Sequence, residues 1–298
     1  MAPTTVLFGV IATFASGALA SCAHGTFLHP RAEGEFVAPT FGYAGSIGPA
    51  NWVSIDPAAN GACATGANQS PIDMISESFT MVPGSELAIT IPDFEAGAEF
   101  ENLGTTVEVI AEEGATLTVG ETTYTLKQFH FHLPSEHLDN GTSMAMEMHM
   151  VWQSEASELA VIGVYVDIAD ANAARIKAKK SKKSKGIYAK ATTASTLLET
   201  VLGSVDKIST PGSTITTEPL IMSEVVNLLS AGSFKSYSGS LTTPPCSEGV
   251  HWFVSTETLS IQTSTFLKAR DVIGFNARYA QNAPGETNLI ALAAASMK

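Results

Sequence analysis

The sequence predicts a single, mainly β domain, on three observations. Short stretches in which apolar and polar residues alternate recur along the chain, set apart by glycines and polar turns. Helical spacing of apolar residues is rare. No linker, low-complexity break or internal repeat divides the 298 residues, a length that one large domain can use.

Taken in order, the chain begins with a leader. Residues 6–15 are mostly apolar and Ala18-Leu19-Ala20 is a small-x-small step, so residues 1–20 read as a secretion signal. Ser21-Cys22-Ala23 offers a second cleavage point, and no Lys or Arg precedes Arg31. The apolar run is too short, and too broken by Thr, Ser and Gly, to predict a membrane span. The expectation is a secreted, extracellular protein whose folded domain covers residues 38–296.

Within that domain, strands are predicted at 106–110, 116–119, 122–126 and 159–166, and helices at 194–205 and 223–229. The apolar stretch 289–295 is too short to span a bilayer and predicts a terminal strand. Two further strand-like segments carry the chemistry. In an extended chain alternate side chains share a face. His130 and His132 therefore point the same way, with Gln128 beside them and Phe129 and Phe131 opposite. In the second segment Glu147, His149 and Val151 share one face, and Met144, Met146, Met148 and Met150 the other.

If the two segments neighbour each other, three imidazoles converge above one sheet face. Three neutral nitrogen ligands suit Zn2+, and a fourth position open to water is the catalytic pattern. Gln128 and Glu147 each lie two residues before a proposed ligand, on its own face, where they can accept its second N–H. An isolated histidine on a strand is more often a satisfied core or surface residue; the paired acceptors favour ligands here.

Composition restricts the partners. A net charge of −13 argues against nucleic acid. The lysines cluster between 177 and 190, which reads as a solvated loop, with a docking patch for an anionic surface as the sharper alternative. The cysteines are Cys22, Cys63 and Cys246; cleavage after Ala20 leaves an odd thiol, and cleavage after Ala23 an even pair. Asn140-Gly141-Thr142 is a glycosylation sequon in a turn; Asn68-Gln69-Ser70 also matches the pattern.

His130-Phe-His132, Ser135-Glu136-His137, Glu147-Met-His149 and the run from Ser238 through Thr242 and Thr243 to Pro245 resemble the signature segments of α-class carbonic anhydrases, in that family's order. Phe41-Gly-Tyr43, Gly48-Pro-Ala-Asn-Trp52, Gln69-Ser-Pro-Ile-Asp73, Val250-His-Trp252 and Asn276-Ala-Arg278 add to the match. The resemblance runs from about residue 40 to about residue 290. It implies a large twisted, mostly antiparallel sheet of about ten strands with short peripheral helices. It implies zinc on His130, His132 and His149, and reversible hydration of carbon dioxide to bicarbonate and a proton by zinc-bound hydroxide.

The same resemblance implies that Thr242 accepts from the hydroxide and donates to Glu136, and that Val151, Val161, Leu241, Val250 and Trp252 wall an apolar substrate pocket. Thr243 would help hold bicarbonate, Tyr43 would join the water network, and Cys63 would pair with Cys246. One departure stands out. The family's proton-shuttle histidine would follow Gly104, where this chain has Thr105. His24 and His29 lie near the start of the mature chain, Glu108 can project into the cavity, and His251 reads as structural. The rival readings are a catalytically silent binding module of the same fold, a zinc-binding protein without turnover and a zinc esterase. Both monomers and dimers occur on this fold, so a homodimer is open.

Overall fold

Where apolar and polar residues alternate, the chain forms strands, and the strands join one sheet. The computed structural model describes residues 23–27, 36–75, 79–169, 189–190 and 193–297. The leader, His29 and all of the lysine run except Lys190 lie outside the described residues. In chain order the strands are β1 (Thr80–Pro83), β2 (Ala88–Thr90), β3 (Glu99–Asn102), β4 (Val107–Ile110), β5 (Thr116–Val119) and β6 (Thr122–His132). They continue as β7 (Met146–Ser154), β8 (Leu159–Ile168), β9 (Ala189–Lys190), β10 (Thr214–Thr216), β11 (Ser233–Ser240) and β12 (Glu248–Ile261).

Across the sheet the order is β1-β11-β12-β8-β7-β6-β4-β3-β10, with β5 joining β6 to β2, and β9 beside β12. β12 runs parallel to β8 and β9, and the other pairs are antiparallel. The sheet is thus mixed, with twelve strands among the described residues where about ten were expected. No helix among them is long and apolar enough to cross a membrane.

Packing explains why β6, β7 and β8 can hold a polar site at their centre. One face sends Phe129, Phe131, Met146, Met148, Met150, Trp152, Ile162 and Val164 into the main apolar core. Each such side chain stabilises the fold by about 1.5–3 kcal/mol on full burial, so this face anchors the strands independently of the other. Helices α1 (Thr196–Gly203) and α2 (Ser223–Ala231) add Leu197, Leu198, Val201, Leu202, Val225 and Leu229 to that core. Ser195 caps α1 by accepting from Leu198 N.

Two expectations need correction. Residues 122–126 are only the first half of β6, which runs on to His132. The terminal strand is instead a helix, Leu289–Ser296, started by Asn288, whose side chain accepts from Ile290 N. Alanine and leucine are the strongest helix formers, and that propensity was hidden by reading the run for hydrophobicity alone. A further helix, Thr263–Ile273, follows β12; its apolar face is narrow, with Thr265 and Ala269 as its buried residues.

Candidate metal centre

A defect in β6 creates the site. The register of β6 on β7 shifts between Leu126 and Gln128. Leu126 pairs with Trp152 and joins the main core, whereas Gln128 pairs with Val151 on the other face. Without this bulge, strict alternation would send Gln128, His130 and His132 into the core alongside Tyr124 and Leu126.

Beyond the bulge, His130 pairs with His149, and His132 with Glu147. Paired residues of neighbouring strands point to the same side. All three imidazoles are fully buried, with a nitrogen of each within 4.8 Å of the others. The protons on the rings are fixed by acceptors. His130 Nδ1 donates to Gln128 Oε1 at 2.8 Å, and His132 Nδ1 to the Asn276 carbonyl at 2.8 Å. His149 Nε2 donates to Glu147 Oε1 at 2.9 Å.

This leaves His130 Nε2, His132 Nε2 and His149 Nδ1 as the unprotonated ring nitrogens. The first two lie 3.1 Å apart with no proton to share, and His149 Nδ1 is buried without a hydrogen-bond partner. Such an arrangement is repulsive unless a cation sits among the lone pairs, so the donor set fits Zn2+. Electrostatics agree. Burial lowers the pKa of all three rings, that of His132 to about 3 with help from the neighbouring His149, so they stay neutral and ready to ligate.

Glu147 is the hub behind the ligands. Burial pushes its pKa up, but His137 and His149 outweigh that and hold it well below the carboxylate range. His137 donates to it twice, from Nδ1 at 2.7 Å and from its backbone N at 2.8 Å. His137 Nε2 in turn meets Tyr237 OH at 2.7 Å, and Tyr237 OH meets Ser70 Oγ at 2.8 Å. Room for Glu147 comes from Gly163, opposite His149 on β8, where an added Cβ would lie 2.8 Å from Glu147 Oε1. Gly163→Ala is therefore expected to push Glu147 off His149 and weaken zinc binding by about 10–100-fold. Competition with a chromophoric chelator measures this, and unchanged affinity would refute it.

Glu136 and Thr242 come together beside the ligands. Glu136 Oε1 accepts from Arg278 N at 2.8 Å; Oε2 lies 3.4 Å from His132 Nε2 and 3.9 Å from His149 Nδ1. Burial raises the Glu136 pKa well above its usual range, against the opposing pull of the Arg278 N–H and of a hydrogen bond with Thr242. A cation held by the imidazoles would favour the ionised form. Thr242 and Thr243 are fully buried in the β11–β12 connection.

The apolar wall is a second cross-strand row two residues along from the ligands. Val161 pairs with both Val151 and Trp252, and Val250 and Leu241 join the same cluster, each at most 2 % exposed. Trp252 Nε1 donates to Ser240 O at 3.0 Å, which fixes the indole.

The other expected residues fall as follows. Cys63 and Cys246 form a disulfide. Tyr43 packs edge-on to Phe41 and Trp52 and lines a cavity of about 340 Å³ with Thr105 and Asn276, as well as one of about 390 Å³ with Glu136 and Arg278. Thr105 is buried. Asn140 is exposed in its turn. His251 is half-buried with Nε2 3.1 Å from Ser236 Oγ, a structural contact. His24 enters the ligand face, against Glu108. Sequence reasoning missed the Asn276 carbonyl, His137 and Gly163 as supports. A backbone acceptor leaves no side-chain signal, whereas the Ser135-Glu136-His137 motif could have flagged His137.

A family model described as eukaryotic-type carbonic anhydrase matches residues 47–288. A carbonic anhydrase of Neisseria gonorrhoeae is 32% identical over 238 residues, covering 80% of this chain and 77% of the relative. Alpha carbonic anhydrase 6 of Arabidopsis thaliana is 32% identical over 78% of each chain. Among solved structures, the fungal alpha carbonic anhydrase of Aspergillus oryzae superposes with a TM-score of 0.74 at 36% identity, over 85% of this chain and 98% of that one.

Proposed function

The chain belongs to the eukaryotic-type carbonic anhydrase family, and on that premise we propose that it is a secreted zinc lyase catalysing the reversible hydration of carbon dioxide to bicarbonate and a proton. The observation that carries the reading is the convergence of three buried ring lone pairs whose opposite nitrogens all donate to fixed acceptors. His130, His132 and His149 would hold the metal. Zinc bound there supplies a water nucleophile at neutral pH by lowering its pKa to roughly 7.

The chain's own residues do the rest. An ionised carboxylate only accepts, so Glu136 draws the Thr242 hydrogen toward itself. Thr242 Oγ then presents lone pairs to the attacking oxygen and fixes its direction. Val151, Val161, Leu241, Val250 and Trp252 offer carbon dioxide a surface without donors, which suits an apolar molecule. Thr243 helps hold bicarbonate, and Tyr43 belongs to the water network. The small-x-small leader and the disulfide support export, and exposed Asn140 is the proposed glycosylation site.

The test is stopped-flow carbon dioxide hydration by the purified protein before and after chelation. Hydration lost on chelation and restored by zinc supports the reading. A folded, zinc-loaded protein without turnover would make it a silent binding module instead. Because Thr105 cannot carry a proton at neutral pH, proton export should limit turnover. A concentrated imidazole buffer is then expected to raise kcat several-fold and leave kcat/KM nearly unchanged. Buffer-independent kcat would show that another relay operates.

A further inference from the structure

The cross-strand row that holds His149 and His130 continues outward. Glu108 on β4 pairs with His130, and Glu101 on β3 pairs with Glu108, so all four face the same way. The Glu101 side chain is 13% exposed, and that of Glu108 is fully buried. A third donor reaches them from far away in sequence. His24 Nδ1 lies 2.5 Å from Glu108 Oε1 and 3.7 Å from Glu101 Oε1. Its position is fixed locally, since Thr26 Oγ1 donates to Ala23 O at 2.6 Å and Ala23 is buried in the apolar cluster of the pocket wall.

One atom in this group is unaccounted for. Glu108 Oε2 is buried with no hydrogen-bond partner, an arrangement that is unfavourable unless something not yet named satisfies it. One ligand atom from each of His24, Glu101 and Glu108 lies within 4.8 Å of the others. We propose that these three residues form a second divalent-metal site, separate from the three imidazoles. Two carboxylates and one imidazole make a mixed hard and borderline donor set, which suits Zn2+ or Mn2+. The two carboxylates neutralise a dication, so this ion would act as a clip holding residues 23–27 on the sheet and not as a Lewis acid. The neutral ligands of the first centre leave its ion's charge uncompensated.

The experiment is a Zn2+ stoichiometry on the full chain, with residue 24 verified by intact mass. Protein stripped by chelator is reloaded, desalted and analysed for zinc per chain, alongside His24→Ala, Glu101→Gln and His149→Ala. Two equivalents are expected for the unaltered chain. His24→Ala and Glu101→Gln should each lose one and keep the other, and His149→Ala should lose the other. Circular dichroism checks that each variant is folded, and the partly exposed Glu101 is the variant least exposed to misfolding. One equivalent in the unaltered chain overturns the proposal, as do two equivalents that survive both His24→Ala and Glu101→Gln. Loss of zinc in His149→Ala, with full zinc kept in both His24→Ala and Glu101→Gln, would overturn the second site and leave the reading of the three imidazoles standing.

Discussion

Replacing Thr242 by alanine is expected to lower kcat/KM for carbon dioxide hydration by about 100-fold while zinc content stays at the unaltered level. On the proposed mechanism Thr242 would touch the reaction only through orientation. Its hydroxyl is held by Glu136, which is held in turn by Arg278 N at 2.8 Å. None of these groups is a ligand, so the metal remains when the hydroxyl goes. Thr242→Ser keeps the hydroxyl and should recover most of the activity, with some loss because serine is freer to rotate. Steady-state kinetics with metal analysis on both variants decides the matter. Equal activity in Thr242→Ala and the unaltered chain would remove this residue from the mechanism.

The second large effect is on stability. The Cys63–Cys246 bridge spans 183 residues. On the chain-entropy account, its removal by Cys63→Ser with Cys246→Ser should cost about 5 kcal/mol. That is a third or more of the stability of an ordinary domain, so the urea midpoint should fall steeply. Activity should fall as well, because the bridge tethers the connection that carries Thr242 and Thr243. Cys246 N donates to Thr243 O at 2.8 Å, Cys246 O accepts from Gln69 Nε2 at 3.1 Å, and Arg278 Nη2 approaches Cys63 O at 3.4 Å. A double variant with the same midpoint as the bridged protein would refute the expectation.

Much of this site was legible in the sequence because ligands and their acceptors obey the two-residue period of a strand. Gln128 with His130, and Glu147 with His149, could be read from spacing alone. Glu136 and Thr242 could not, since nothing local in the sequence shows that they meet; the family resemblance brought them together. The bulge at the start of the ligand run was hidden for a physical reason. A register shift conserves every residue and alters only which face each one takes, and 122–126 and 128–132 each alternate correctly when read separately. Gly163 was equally silent. Its role is the absence of a side chain, and only the Glu147 carboxylate packed against it gives that absence a meaning. The C-terminal helix was misread because alanine and leucine serve strands and helices alike when hydrophobicity is the only signal.

All three imidazoles sit on β6 and β7, neighbours in sequence joined by the connection 133–145. The connection that carries Thr242 joins β11 to β12, and it reaches the imidazoles only once β12 finds β8, a parallel partner that no hairpin can supply. Local contacts form before distant ones as a chain folds. The ion can therefore be captured by a partly folded chain and act as its nucleus, since binding free energy at a metal site is also folding free energy. Pulse-labelled hydrogen exchange during refolding should find the β6–β7 amides protected earlier with zinc than without it, and those of β11 and β12 unchanged. Simultaneous protection of both regions would make the ion a late arrival.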